Sequence, residues 1–383
     1  MKGHYYKRGK SWSFIIDIGK DHTGKRRQKQ MGGFKTKKEA ELACAELITQ
    51  IEKNEYIEPS KLTFGEFLKD FMENHVRLTI RQSTYESQIS VINKHIYPGL
   101  GHLELQKITP MIIQKFYSNK LREGLSASYI RIMHAIISKT LKTATEWELI
   151  SKNVSTLLKP PRVENNDVEV WTMTEITQFL SLTKNRKFYI AYALAIFTGM
   201  RKGEILGLRW RDCDLDKGQI RIRQTLYKVK GALTFQEPKT RKSKRSISIS
   251  ETVISILKKH RAAQNELKLK LGNAYRDHDL VVANYNGNPV DLGDINRDLK
   301  YVISKYNLPK IKFHGLRHTH ATLLLQLGEN PKVVSERLGH AEVGITLNTY
   351  SHVLPDMQKS LADNFENAIQ IENASIDKKG KIL

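Results

Sequence analysis

The stretch from Lys312 to His352, KFHGLRHTHATLLLQLGENPKVVSERLGHAEVGITLNTYSH, constrains the fold more than any other part of the chain. His314 and Arg317 open a helical pattern whose apolar positions are Leu316, Leu323, Leu324 and Leu327. Three residues apart, they project from one helix face. Asn330 as cap, with Pro331 at the first helical position, starts a second helix. Gly339 closes it and leaves His340 at its C-terminal end. Tyr350 comes ten residues later. The stretch reads as two short helices that deliver charged groups to one place, followed by a tyrosine.

The rest of the chain must support that place. At 383 residues it is long enough for two or three domains, each with its own core. Its formal charge of +23 favours a polyanionic partner, because cationic side chains on a phosphate backbone release condensed counterions. The two cysteines, Cys44 and Cys213, are far apart and offer neither a disulfide framework nor a metal-ligand spacing, so a reducing cytosol is expected. The basic N-terminus lacks the apolar run of a signal peptide, and no stretch is long enough to span a bilayer. A cytoplasmic protein with no membrane partner is expected.

Residues 1–56 read as a separate basic module. Trp12, Phe14, Ile16 and Ile18 alternate as in a strand, a turn follows at Asp21 to Gly24, and Lys25 to Phe34 forms a charged partner strand. Thr36 caps a helix running to about Glu55, with Ala40, Ala43, Leu47 and Ile51 on its apolar side. Residues 1–38 carry twelve Lys or Arg against two Asp. A β-ribbon so charged can enter a DNA major groove, with Lys25, Arg26 and Arg27 as the candidate contacts.

Residues 61–158 read as a helical bundle. Thr63 with Glu66 makes a capping box, and Ser83 with Glu86 repeats it for a helix ending near Pro98. Thr109-Pro110 starts a third helix that Gly124 closes, and Ser126 to about Leu149 supplies a fourth. Residues 159–170, with paired prolines and no periodicity, read as a linker.

From residue 171 to 383 helices dominate, with one β insertion. The segment FTGMRKGEILGLRW breaks at Gly199 and resumes as a short helix with Arg201 at its start and Glu204 three residues on. Gln219 to Leu226 and Lys244 to Ser250 alternate as strands, with Lys239 on a turn between them. Residues 251–270 form a long basic helix, and Met357 to about Ile371 an amphipathic one that packs on its own domain or on a neighbour.

Taken in order, TGMRKGE at Arg201, EPKT at Lys239, HGLRH at His314 and Arg317, LGH at His340 and NTYSH at Tyr350 resemble the motifs of the tyrosine recombinases, the phage integrase family. Each motif alone is weak; five in order, with this spacing, are specific. The resemblance extends over nearly the whole chain. It implies an arm-site DNA-binding module at 1–56, a core-site DNA-binding domain at 61–158, and a catalytic domain at 171–383. The fold expected is multidomain: a small α+β N-terminal domain (three-stranded sheet plus helix), an all-α bundle, and a mainly α catalytic domain with a small antiparallel sheet.

The residues suit that chemistry. Arg201 and Arg317 can grip a phosphate with planar, permanently charged forks, in place of a metal, and no cofactor is expected. Tyr350 is the expected nucleophile. The resemblance implies a 3′-phosphotyrosine with a free 5′ hydroxyl leaving. Lys239 is the expected acid for that oxygen, His314 accepts the tyrosine proton or bonds the phosphate, His340 bonds a non-bridging oxygen, and Glu204 positions Arg201 or a histidine. His318 and His320 read as packing or surface residues. The implied assembly is a homotetramer on double-stranded DNA that passes through a four-way junction, aided by an excisionase and a host DNA-bending protein. A chromosome-dimer resolvase or a type IB topoisomerase would use the same site without the 1–56 module. A regulator with a decayed site is the remaining alternative, set against six intact positions.

Overall fold

The computed structural model describes residues 3–20, 24–52, 56–163, 169–229, 231–238 and 244–350, with 362, 365, 366 and 369. It divides into two compact units, Met1–Glu164 and Asn165–Leu383.

The first unit holds two cores. In one, β1 (His4–Arg8), β2 (Ser11–Lys20) and β3 (Arg26–Phe34) form an antiparallel sheet in the order β1-β2-β3. Helix α1 (Lys37–Glu52) lies on it, and Ala40, Cys44 and Leu47 meet Phe14 and Ile16. That spacing of three and four residues is the helix's apolar stripe. Of the expected turn from Asp21 to Gly24, residues 21–23 lie outside the described residues, and Gly24 has the left-handed φ of +82°.

The other core is helical. Here α2 (Phe64–Asp70) continues through a π-helical Phe71–Val76 into α3 (Arg77–Thr79). Likewise α4 (Gln82–Val91) continues through a π-helical Ile92–Ile96 into α5 (Tyr97–Leu100), and α6 (Pro110–Arg122) and α7 (Ala127–Glu146) complete the bundle. The Thr63 capping box forms, with the Glu66 amide donating to Thr63 Oγ1 at 3.2 Å and the Thr63 amide to Glu66 Oε2 at 2.9 Å. Thr109 and Ser126 cap α6 and α7 as expected. The second expected box does not form. Arg81 is the N-cap of α4, Ser83 lies inside the helix, and Glu86 instead accepts from Gln82 Nε2 at 3.0 Å.

The second unit begins with α8 (Met173–Thr183), closed at its start by a capping box between Thr172 and Glu175. Helix α9 (Tyr189–Thr198) is apolar nearly all round and runs through the core, ending at Gly199 in the left-handed conformation (φ +66°). A Cβ there would meet His320 and Leu338, so the turn needs both the φ and the small volume of glycine. The turn leads into α10 (Lys202–Leu206).

The β insertion is richer than expected. Strands β4 (Cys213–Asp214), β5 (Gln219–Arg221) and β8 (Ser246–Ser248) form one sheet, and β6 (Thr225–Val229) pairs with β7 (Ala232–Gln236) as a separate hairpin. The single strand expected over Gln219 to Leu226 therefore breaks in two. At the break the Ile222 amide still bonds Arg245 O, whereas Gln224 turns its side chain to Gly207 O, and β6 departs to meet β7. Next come α11 (Glu251–Leu271), α12 (Leu292–Lys305), α13 (Phe313–Gln326), α14 (Pro331–Leu338) and α15 (Val343–Thr349). Asn330 caps α14, its Oδ1 accepting from the Lys332 amide at 2.8 Å, and Gly339 ends it at φ +68°. Helix α15, between His340 and Tyr350, was not foreseen. Of the expected terminal helix, Ala362, Phe365, Glu366 and Ile369 are described, and they are helical. No helix among the described residues is long and apolar enough to cross a membrane.

Candidate active site

Five of the six expected catalytic residues line one cleft of about 680 Å³ in the second unit: Arg201, His314, Arg317, His340 and Tyr350. The sixth, Lys239, lies outside the described residues, although its neighbour Pro238 lines the same cleft. The elements explain the convergence. Arg201 is the N-cap of α10, held there by the tight Gly199 turn. His314 and Arg317 stand on the first turn of α13, His340 just after α14, and Tyr350 at the end of α15.

The two arginines are anchored through backbone carbonyls. Arg317 is 2% exposed and donates to Gly199 O at 2.7 Å and to Leu338 O at 2.9 Å. Arg201 donates through Nη2 to Gly339 O at 3.0 Å and through Nη1 to Glu204 Oε1 at 2.9 Å. Burial, together with the Arg201 charge, pushes the Arg317 guanidinium down to about 9.

Glu204, 3% exposed, is shared by two guanidiniums. Arg245 reaches both its oxygens, Nη1 to Oε1 at 3.1 Å and Nη2 to Oε2 at 3.0 Å, while its Nε donates to Arg337 O at 2.7 Å. Burial alone would raise the Glu204 carboxyl, but the Arg245 hydrogen bonds and the charges of Arg245 and Arg201 hold it below its ordinary value. Arg201, Arg245 and Arg317 thus face one carboxylate, which leaves the cleft with an excess of positive charge suited to a phosphate. Sequence reasoning missed Arg245. It lies in a run of basic residues, and nothing local marks it as the one turned inward.

The histidines are neutral at pH 7. Burial first, and then the charges of Arg317 and Arg201, push His314 and His340 each down to about 4; for His314 the nearby His318 adds to this. His340 Nδ1 bonds Thr346 Oγ1 at 2.8 Å. Tyr350 is 1% exposed, its ring packed on Ala321, Leu325, Val334 and Leu338. Burial pushes its hydroxyl up to about 12, partly offset by Arg317. A hydroxyl so reluctant to ionise could act as a nucleophile only with a proton acceptor beside it. The group on it is His318, with Nδ1 2.8 Å from Oη. His318 is therefore a site residue, contrary to the sequence expectation. His320 does pack: it is buried, with Arg337 Nε donating to its Nε2 at 3.1 Å.

Of the candidate DNA contacts in the first unit, Arg26 pairs with Asp17 and Arg27 Nη2 with Glu58 Oε1 at 2.6 Å. Both arginines and Lys25 are exposed on or beside β3.

Three family models match this chain. The Phage integrase family covers residues 169–357, an Arm DNA-binding domain residues 4–51, and the Phage integrase N-terminal SAM-like domain residues 63–121. A relative named tyrosine recombinase XerC-like, from Caldanaerobacter subterraneus subsp. tengcongensis, is 29% identical over 96% of this chain and 98% of its own length. The ICEBs1 integrase of Bacillus subtilis is 28% identical over 87% of this chain and 91% of its own. Among solved structures, the Tn1549 transposon integrase in complex with a circular intermediate DNA superposes with a TM-score of 0.67 at 21% identity, covering 76% of this chain and 95% of that one. A lambda integrase dimer bound to a core site gives 0.57 at 19%, covering 90% and 94%.

Proposed function

Because the chain belongs to the phage integrase family of tyrosine recombinases, and is a site-specific DNA recombinase, we propose that Tyr350 is its nucleophile and that the cleft beside it receives the scissile phosphate. The observation that carries this reading is the meeting of the Tyr350 hydroxyl with Arg201, Arg317, His314 and His340 on one cleft.

Phosphoryl transfer concentrates negative charge on the non-bridging oxygens as the tyrosine attacks. Arg201 and Arg317, held by backbone carbonyls, meet that charge without rearranging, the condition under which fixed donors are most effective. Attack by Tyr350 Oη on phosphorus breaks the bond to the 5′ oxygen and leaves the strand on the enzyme through a 3′-phosphotyrosine. Lys239 gives the departing oxygen its proton. His314 and His340, both neutral, bond the phosphate oxygens. Glu204 and Arg245 position Arg201. The linkage conserves the energy of the broken bond, so no nucleotide or metal is required.

At the next level, the recombinase integrates and excises a mobile element as a homotetramer that passes through a Holliday junction. A lambda integrase tetramer bound to a Holliday junction, similar in fold, supports this assembly. The three regions divide the work: 1–56 binds arm-type DNA, with Lys25, Arg26 and Arg27 as contacts, 61–158 binds core-type DNA, and 171–383 does the chemistry beyond a 159–170 linker. The terminal helix docks on a neighbouring protomer. An excisionase and a DNA-bending protein set the direction, and the reaction takes place on the nucleoid in the cytoplasm.

The test is covalent capture on a nicked suicide substrate made from the element's own core site, in EDTA. Wild type gives a protein–DNA band on denaturing gels and Tyr350→Phe gives none. A band from both proteins would assign the nucleophile elsewhere.

A further inference from the structure

We propose that His318, rather than His314, is the immediate acceptor of the Tyr350 proton, a role that rests on Tyr350 being the nucleophile. The geometry is specific. His318 Nδ1 stands 2.8 Å from Tyr350 Oη, and the ring centroids are 5.7 Å apart. His314 meets His318 at right angles, 4.7 Å between centroids, and so borders the histidine that holds the tyrosine. The position follows from the helix. His318 is four residues beyond His314 and one beyond Arg317 on α13, which places phosphate-binding and proton-accepting groups on adjacent turns.

Neutral His318 presents the Nδ1 lone pair to Oη when its own proton sits on Nε2. Burial and the neighbouring Arg317 charge lower its basicity, which keeps the ring neutral before the phosphate arrives. As Oη bonds to phosphorus, its proton passes to Nδ1 and His318 becomes an imidazolium. The phosphorus–O5′ bond breaks, and the departing oxygen takes its proton from Lys239. On rejoining, an incoming 5′ hydroxyl attacks phosphorus and returns a proton to Lys239. The tyrosine oxygen leaves and recovers its proton from His318. The cycle closes with every proton back where it began.

The experiment measures single-turnover cleavage of the suicide substrate by wild type, H318A, H318N, Lys239→Ala and Tyr350→Phe, with core-DNA binding measured for each. An asparagine Oδ1 can take the place of Nδ1 and accept the hydrogen bond, but it cannot hold a proton at this pH. H318A and H318N should both bind DNA and cleave at least ~100-fold more slowly, the usual scale of a lost general base. A substrate with a 5′-bridging sulfur, which leaves without a proton, should rescue Lys239→Ala and leave both His318 variants slow. Wild-type cleavage by H318A would overturn the proposal. Full activity in H318N would reduce His318 to a positioning residue, and rescue by sulfur would move it to the leaving-group side. Should H318A fail to bind DNA, H318N alone decides between these outcomes. A covalent band from Tyr350→Phe would instead overturn the nucleophile assignment itself.

Discussion

At the residue scale, the site turns on a buried charge balance. Glu204 carries a carboxylate that Arg201 and Arg245 share, and both Glu204 and Arg245 are shielded from water. Glu204→Gln leaves Arg245 buried beside a neutral amide. Removing one partner of such a pair costs about 3–5 kcal/mol, because the other charge stays desolvated. The urea midpoint should fall accordingly, and covalent capture should slow as Arg201 loses its alignment. A variant with unchanged midpoint and capture would show that Arg201 is held by its backbone contact alone. The meeting of Arg201, Arg317, His314, His340 and Tyr350 on one cleft was legible in the sequence because their motifs are short and ordered. Arg245 and His318 were not. Arg245 finds its carboxylate 41 residues away, and His318 its hydroxyl 32 residues away. Only packing decides which of several nearby basic residues turns inward.

At the element scale, local signals were readable where the partners lie within one turn. The boxes at Thr63 and Thr172 and the Asn330-Pro331 start of α14 all formed. Ser83 failed because the chain entered its helix two residues earlier than the box required. The β6–β7 hairpin escaped notice because its strands are short and the first of them lacks strict alternation. The histidines on α13 and just after α14 have a further consequence. His314 and His340 titrate at about 4 and His320 at about 3, against an ordinary 6.5, each chiefly through burial. Between those values the unfolded chain binds protons that the folded chain refuses. Stability is therefore complete above about pH 6.5 and is lost as the pH falls toward 4. By pH 5 the loss should be on the order of 1 kcal/mol per histidine after allowing for partial exposure. Urea titrations at pH 7.5, 6 and 5 check this, and a constant midpoint would contradict it.

At the scale of the whole molecule, the charge of +23 is shared between exposed basic surfaces, such as that around β3, and the arginine-lined cleft. Replacing Lys25, Arg26 and Arg27 together with alanine should weaken arm-DNA binding and lower the slope of log K against log salt by about one to three units. The change in slope falls short of three because the pairs with Asp17 and Glu58 already offset part of this charge. Fluorescence anisotropy over a range of salt concentrations measures the slope. An unchanged slope would remove β3 from the DNA-facing surface.

The end of α14 binds both cleft arginines through consecutive carbonyls, Leu338 O for Arg317 and Gly339 O for Arg201. The two guanidiniums therefore share one support, and a change in the backbone at the end of α14 would reach both at once. A substitution at Glu204 reaches Arg201 and Arg245, whereas a change in the Gly339 turn reaches Arg201 and Arg317 together. The same turn leads through α15 to Tyr350, so the hydroxyl that faces the arginines follows from the same stretch of backbone.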